Sequence, residues 1–108
     1  MSTVPSVEEG RRIGRDVVEN RLAACVNVIP GLVSVYEWEG KIEEESEALL
    51  VLKTAEALAD KLTERILAVH PYDHPEVVAM PIVSGNPKYL EWIDNVTGPG
   101  SSGEEKDE

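Results

Sequence analysis

The chain contains no phenylalanine, and aromatic residues make up only 5% of its 108 positions. Ala, Val, Leu and Ile must therefore supply nearly all of the buried surface, and a domain of this size has a thin stability margin when alone. It holds a single cysteine, Cys25. That excludes an intrachain disulfide and fits a reducing, cytoplasmic setting. No apolar run approaches the roughly 20 residues a membrane helix needs, and no basic segment followed by an apolar one marks export, so no membrane is expected as a partner. Positive charge is also scarce. Ten Lys and Arg against 21 Asp and Glu give a formal net charge of −11, which argues against nucleic acid or anionic lipid as a partner. The signatures of common enzymes are missing too, with no phosphate-cradling glycine loop, no Gly-x-Ser-x-Gly and no His-Glu-x-x-His in the sequence. The chain reads as a non-enzyme.

What is present reads as a short α+β domain over residues 1–97. Ser6-Val7-Glu8-Glu9 has the form of a capping box, and the apolar spacing after it predicts a helix from about Val7 to Ala24. β-Formers follow from Cys25 to Tyr36, interrupted by Pro30-Gly31, which predicts a bulge. Glu39-Gly40 reads as a tight reversal and Lys41 begins the return strand. That strand is acidic through Glu43, Glu44, Glu45 and Glu47, then apolar from Ala48 to Leu52. A long hairpin whose tip leaves the domain is expected, its acidic half in solvent.

Thr54 is placed to cap a second helix, Ala55 to Val69, which His70-Pro71 ends. Val77 to Val83 is expected as a strand, on an edge because of Pro81. Asn86-Pro87 opens a terminal helix carrying Leu90 and Ile93. Residues 98–108, Gly/Ser followed by Glu-Glu-Lys-Asp-Glu, read as a disordered acidic tail. The order, with a short strand before the first helix, is that of the ferredoxin-like split βαβ sandwich.

Candidate chemistry is sparse. Cys25 is a soft metal ligand when ionised, or a small apolar residue at a helix–strand junction. His70 sits at a helix end and His74 lies four residues on, a spacing that suits Cu(II) or Zn(II) only on a continuous helix, which Pro71 and Pro75 forbid. The alternative for His70 is a helix-end cap that hydrogen-bonds across a subunit boundary. Asn95-Val96-Thr97 has the form of a glycosylation sequon and carries no weight without an export signal.

Several stretches together closely resemble the CutA divalent-cation-tolerance family: Arg21-Leu22-Ala23-Ala24-Cys25-Val26-Asn27, Ile29-Pro30-Gly31, Tyr36-Glu37-Trp38-Glu39-Gly40-Lys41, His70-Pro71-Tyr72 with Pro75-Glu76, and Tyr89-Leu90-Glu91-Trp92-Ile93. The resemblance runs from about Ser2 to Val96. It implies a homotrimer, similar in architecture to the PII signalling proteins, that binds a divalent metal ion, copper first, with no organic cofactor. It also implies a first strand cut short at its start. Of the family's proposed copper ligands, a first-strand cysteine and two adjacent histidines, the matching positions here are Ser2, Val69 and His70, so only His70 is retained. The resemblance also implies that Lys53, Glu76, Tyr72, Tyr36 and Trp38 stand around a cleft between subunits, either as the walls of a small-ligand site or as an interchain ion pair with a packed aromatic corner. The other readings are a PII-like module binding a small anionic metabolite between subunits, with Lys53 central, and a non-catalytic trimeric scaffold.

Overall fold

A computed structural model describes residues 1–98. The elements are β1 (Ser2–Val4), α1 (Val7–Glu19), β2 (Cys25–Trp38), β3 (Lys41–Lys53), α2 (Ala59–Val69) and α3 (Pro87–Val96), with a 3₁₀ turn at Glu56–Leu58 before α2. The sheet is antiparallel, in the order β1-β3-β2. A single antiparallel bridge joins Ser2 to Val77 on the far side of β1. The arrangement is the expected α+β, split βαβ form with an added terminal helix.

α1 starts as the capping motif predicts, Ser6 Oγ accepting from the Glu9 N–H at 3.1 Å. It ends at Glu19, not at Ala24. Arg21 adopts φ +60°, its N–H bonds to Val18 O, and the Leu22 N–H bonds to Val17 O. These are the two bonds of a Schellman motif. Arginine stands where glycine usually marks such an end, so the stop is invisible in the sequence. The apolar face of α1 lies on the sheet. A Cβ added at Gly10 would come within 2.9 Å of Val28 and 3.0 Å of Leu50, and one at Gly14 within 3.3 Å of Val26. Ile13, Val17, Val4, Leu50, Leu62 and Ile66 join in the core beneath.

The bulge falls where Pro30-Gly31 predicts it. Ile29 pairs with Leu49 and Leu32 with Glu47, so β2 carries one residue more than β3 across this gap. An odd insertion reverses the alternation of one strand. Val33 and Val35 thereby share the helix-side face with Val26 and Val28, and Ser34, Tyr36 and Trp38 share the opposite, open face with Ile29. The reversal is also as read. Glu39 (φ +52°) and Gly40 (φ +82°) form a two-residue turn of type I′ between the paired Trp38 and Lys41.

Two further expectations are corrected. Thr54 does not cap the second helix, because its hydroxyl donates to Leu22 O at 2.7 Å, and the chain makes a 3₁₀ turn before α2 begins at Ala59. Val77 to Val83 is no strand within one chain. Among the described residues Ser2 of β1 pairs with Val77 and Met1 bonds Val78, no ladder continues to Val83, and Pro81 has no N–H to give. α3 begins as read, Asn86 Oδ1 accepting from the Lys88 N–H at 3.0 Å. Of the tail, Gly98 is held by its N–H to Arg21 O at 2.8 Å, and residues 99–108 lie outside the described residues.

Candidate functional site

His70 follows the last residue of α2, turned into extended backbone (φ −76°, ψ 141°) by Pro71 behind it. Its ring is buried, 8% exposed. Nε2 lies 2.8 Å from Thr3 O and Nδ1 lies 3.1 Å from the Tyr72 N–H. A carbonyl only accepts and a peptide N–H only donates, so the geometry assigns the Nε2–H tautomer, with the Nδ1 lone pair already taken. His70 locks the end of α2 to β1 of the same chain, a structural tie at the helix end, where the expected alternative was a bond across a subunit boundary.

The rings of His70 and Tyr72 are 4.9 Å apart. Tyr72 carries the network onward, its hydroxyl donating to Glu47 Oε2 at 2.7 Å while Ser34 Oγ donates to Glu47 Oε1 at 2.5 Å. Burial, then the Glu47 carboxylate, pushes the Tyr72 phenol well above its ordinary range. The Tyr36 phenol is raised as well, by desolvation first and then by Glu45, Glu43 and Glu47. Strand alternation explains the crowding, since Glu43, Glu45 and Glu47 all face the open side together with Tyr36 and Ser34. Sequence reading treated these glutamates as a solvated row and missed Glu47 as the acceptor that holds Tyr72. The signal was there in the bulge, which sets Ser34 and Glu47 on one face.

The other candidates lie apart. Cys25 is a free, half-buried thiol paired in register with Lys53. Lys53 Nζ donates to Asn27 Oδ1, a partner the sequence did not flag. His74 is exposed. Among the described residues no group of three or more His, Cys, Asp and Glu is placed to hold a metal ion, so Cys25, His70 and His74 of one chain do not form a metal centre. Of the cleft set, Tyr72 and Tyr36 meet around Glu47. Glu76 lies near the Met1 ammonium, which desolvation lowers and Glu76 raises, and no ion pair joins it to Lys53 among the described residues. Trp38, 54% exposed, sits at the hairpin tip and Lys53 at its base. Twelve strand steps, about 40 Å, separate them, so a cleft walled by both needs more than one copy.

The hairpin is unsupported beyond the helices. Val33, Val35 and Ile42 are 60%, 61% and 72% exposed, an apolar strip of the kind that marks an interaction surface. No helix of the described residues is long and apolar enough to cross a membrane.

Comparison with known proteins places this geometry. The family profile described as CutA1 divalent ion tolerance protein matches residues 1–96. The divalent-cation tolerance protein CutA of Thermus thermophilus is 52% identical over 96 residues, covering 89% of this chain and 93% of that protein. The chloroplastic protein CutA of Arabidopsis thaliana is 53% identical over 95 residues. This chain spans about half the length of that plant protein (52%), although the match covers 88% of this chain. Among solved structures, the Thermus thermophilus divalent cation tolerance protein superposes with a TM-score of 0.87 at 52% identity, covering 90% of this chain and 94% of the other. CutA1 from Oryza sativa gives 0.88 at 52% identity, covering 92% and 91%. The profile match and these identities over nearly the whole described chain show that it belongs to the CutA1 divalent ion tolerance family.

Proposed function

We infer that this protein serves divalent-cation tolerance as a cytoplasmic, non-catalytic homotrimer that binds a divalent metal ion, copper first, at a position completed between copies. The observation that carries the assembly is the bare hairpin. Val33, Val35, Trp38 and Ile42 stand more than half exposed on strands that run past the helical layer, and leaving them in water forfeits roughly 25 cal/mol for each Å² of apolar surface. Burying them against further copies of the same chain gives the small, phenylalanine-free core the support it lacks. Family membership supports the tolerance role.

The metal part has a stated structural condition. For His70 to ligate copper, Nδ1 must release the Tyr72 N–H, or Nε2 must lose its proton and Thr3 O. Binding is therefore coupled to movement of the segment that follows α2. The test is a Cu(II) titration of chelator-stripped, mass-verified protein with His70→Ala alongside. Saturation at a simple ratio per assembly that disappears in the variant supports the reading. Binding indifferent to His70, or none that saturates, refutes copper at this residue.

A second reading has its own observation. Lys53 is fixed by Asn27 on the open face, beside the half-buried Cys25, and an oriented ammonium suits a small anionic metabolite in an intersubunit cleft. Lys53→Ala then abolishes ligand binding and leaves the assembly intact.

A further inference from the structure

α2 ends without a cation of its own. No basic residue stands in its last turn, and its last carbonyl, Val69 O, meets no helical amide because the chain turns extended at His70. α1 supplies the missing group. Arg12 reaches across, and its Nη2 donates to Val69 O at 2.7 Å. The same nitrogen donates to Glu9 Oε1 at 2.6 Å, and Nε donates to that oxygen at 2.9 Å. A guanidinium on an orphan carbonyl at a helix C-terminus satisfies both the hydrogen bond and the macrodipole.

Glu9 forgoes a local bond to make this contact. In a capping box the glutamate turns back to the N–H of the capping serine. Among the described residues only half of the Ser6-Val7-Glu8-Glu9 box is made: Ser6 Oγ accepts from the Glu9 N–H, while the Glu9 carboxylate binds Arg12 and holds it against α2. Val69 precedes His70, so the contact stands at the hinge of the segment that carries the candidate ligand. Three ties hold that segment. The His70 ring meets Thr3 O and the Tyr72 N–H, the Tyr72 hydroxyl meets Glu47, and Arg12 meets Val69 O. His70 is buried, whereas the Arg12 and Glu9 side chains are 49% and 35% exposed. The Arg12 tie is the charged one and lies in water, so it can break while the core beneath stays packed.

We propose that Glu9 and Arg12 form a latch on the end of α2, which sets how often the segment from His70 to Tyr72 opens and so how readily His70 Nδ1 is offered to a metal ion. Arg12 acts through Val69 and is a positioning residue, not a ligand. The latch stands on the hydrogen bonds above, and its effect on metal rests on the reading of His70 as a ligand. A binding-competent state that is only fractionally populated weakens apparent affinity by that fraction. A change that opens the segment more often therefore tightens metal binding by the same factor.

The test is amide hydrogen exchange on the full chain, free of metal. Arg12→Met keeps an apolar stem on a half-exposed position and removes the donors. Exchange at the Tyr72 N–H then speeds up about tenfold, while the buried Leu50 of β3 is unchanged. Glu9→Gln leaves the Ser6 cap in place and gives a smaller change in the same direction. In a parallel Cu(II) titration, Arg12→Met binds with a Kd about tenfold lower, the factor seen in exchange, and adding His70→Ala removes the gain. Unchanged exchange at Tyr72 overturns the latch. Equal acceleration at Leu50 also overturns it, since Arg12 is then a general tie between helices. Faster exchange at Tyr72 with His70-dependent copper binding at its old Kd overturns the effect on metal. Copper binding indifferent to His70 counts against the metal reading alone, and the exchange result then decides the latch by itself.

Discussion

The imidazole of His70 and the carbonyl of Thr3, 2.8 Å apart, join the end of α2 to the first strand. Because the other ring nitrogen takes the Tyr72 N–H, one side chain fixes three segments: β1, the end of α2 and the loop that leads to Val77. His70→Ala leaves Thr3 O and the Tyr72 N–H without their partner in a site that is largely closed to water. Stability is expected to fall by about 1–3 kcal/mol. Urea unfolding in metal-free buffer measures it, and an unchanged midpoint would mean that the ring is not a structural tie.

Ser2 offers the opposite case. It is fully buried, and its Oγ has no hydrogen-bond partner among the described residues. Removing an unsatisfied buried hydroxyl without changing the backbone recovers its desolvation cost. Ser2→Ala should raise stability by about 1 kcal/mol, seen as a later urea midpoint with the same slope. A loss of stability would show that the hydroxyl is bonded in solution.

Tyr72 predicts behaviour at high pH. Its phenol titrates above the ordinary range because burial and the Glu47 carboxylate both oppose the phenolate. A raised folded-state pKa for an acid that starts neutral gives stability that is complete below the unfolded value near 10 and is lost as pH rises through the folded one. In an absorbance titration of tyrosinate, Tyr72→Phe should delete the late phase that Glu47 and burial cause, while the separate upward shift of Tyr36 stays. Glu47→Gln should move that phase earlier. If the late phase persists in Tyr72→Phe, the assignment is wrong.

The acid limb belongs to Asp16. Arg65 grips it with Nε on Oδ1 and a terminal nitrogen on Oδ2, each at 2.7 Å, tying α2 to α1. That hydrogen bond, the leading influence, holds the Asp16 carboxyl below its ordinary value of 3.8. The contribution to stability is therefore present above pH 4 and is lost as pH falls through the lowered folded value. Asp16→Asn should flatten the stability profile below about pH 4 and cost little more than a surface pair at neutral pH. Chemical unfolding at pH 2.5, 4 and 7 separates these outcomes.

Much of the fold was legible along the chain because its signals are local. The bulge at Pro30-Gly31, the Glu39-Gly40 turn and the caps at Ser6 and Asn86 each depend on dihedral preferences or on a side chain a few residues away. Where the reading failed, a distant group had intervened. Thr54 had the chemistry of a cap, but Leu22 O claimed its hydroxyl. Arg21 entered the left-handed region without glycine's help because the ends of Val17 and Val18 bond the turn.

The site divides along the same line. Sequence by itself determined the family motifs, the single cysteine, the acidic charge and the residues with candidate chemistry. Tertiary structure alone decided that His70 spends both nitrogens on backbone and that Glu47 receives Tyr72 and Ser34. Helix caps and turns are short-range and can be read from neighbouring residues. Hydrogen-bond ownership and strand pairing are contests among groups far apart in the chain, and only their positions in space settle which partner wins.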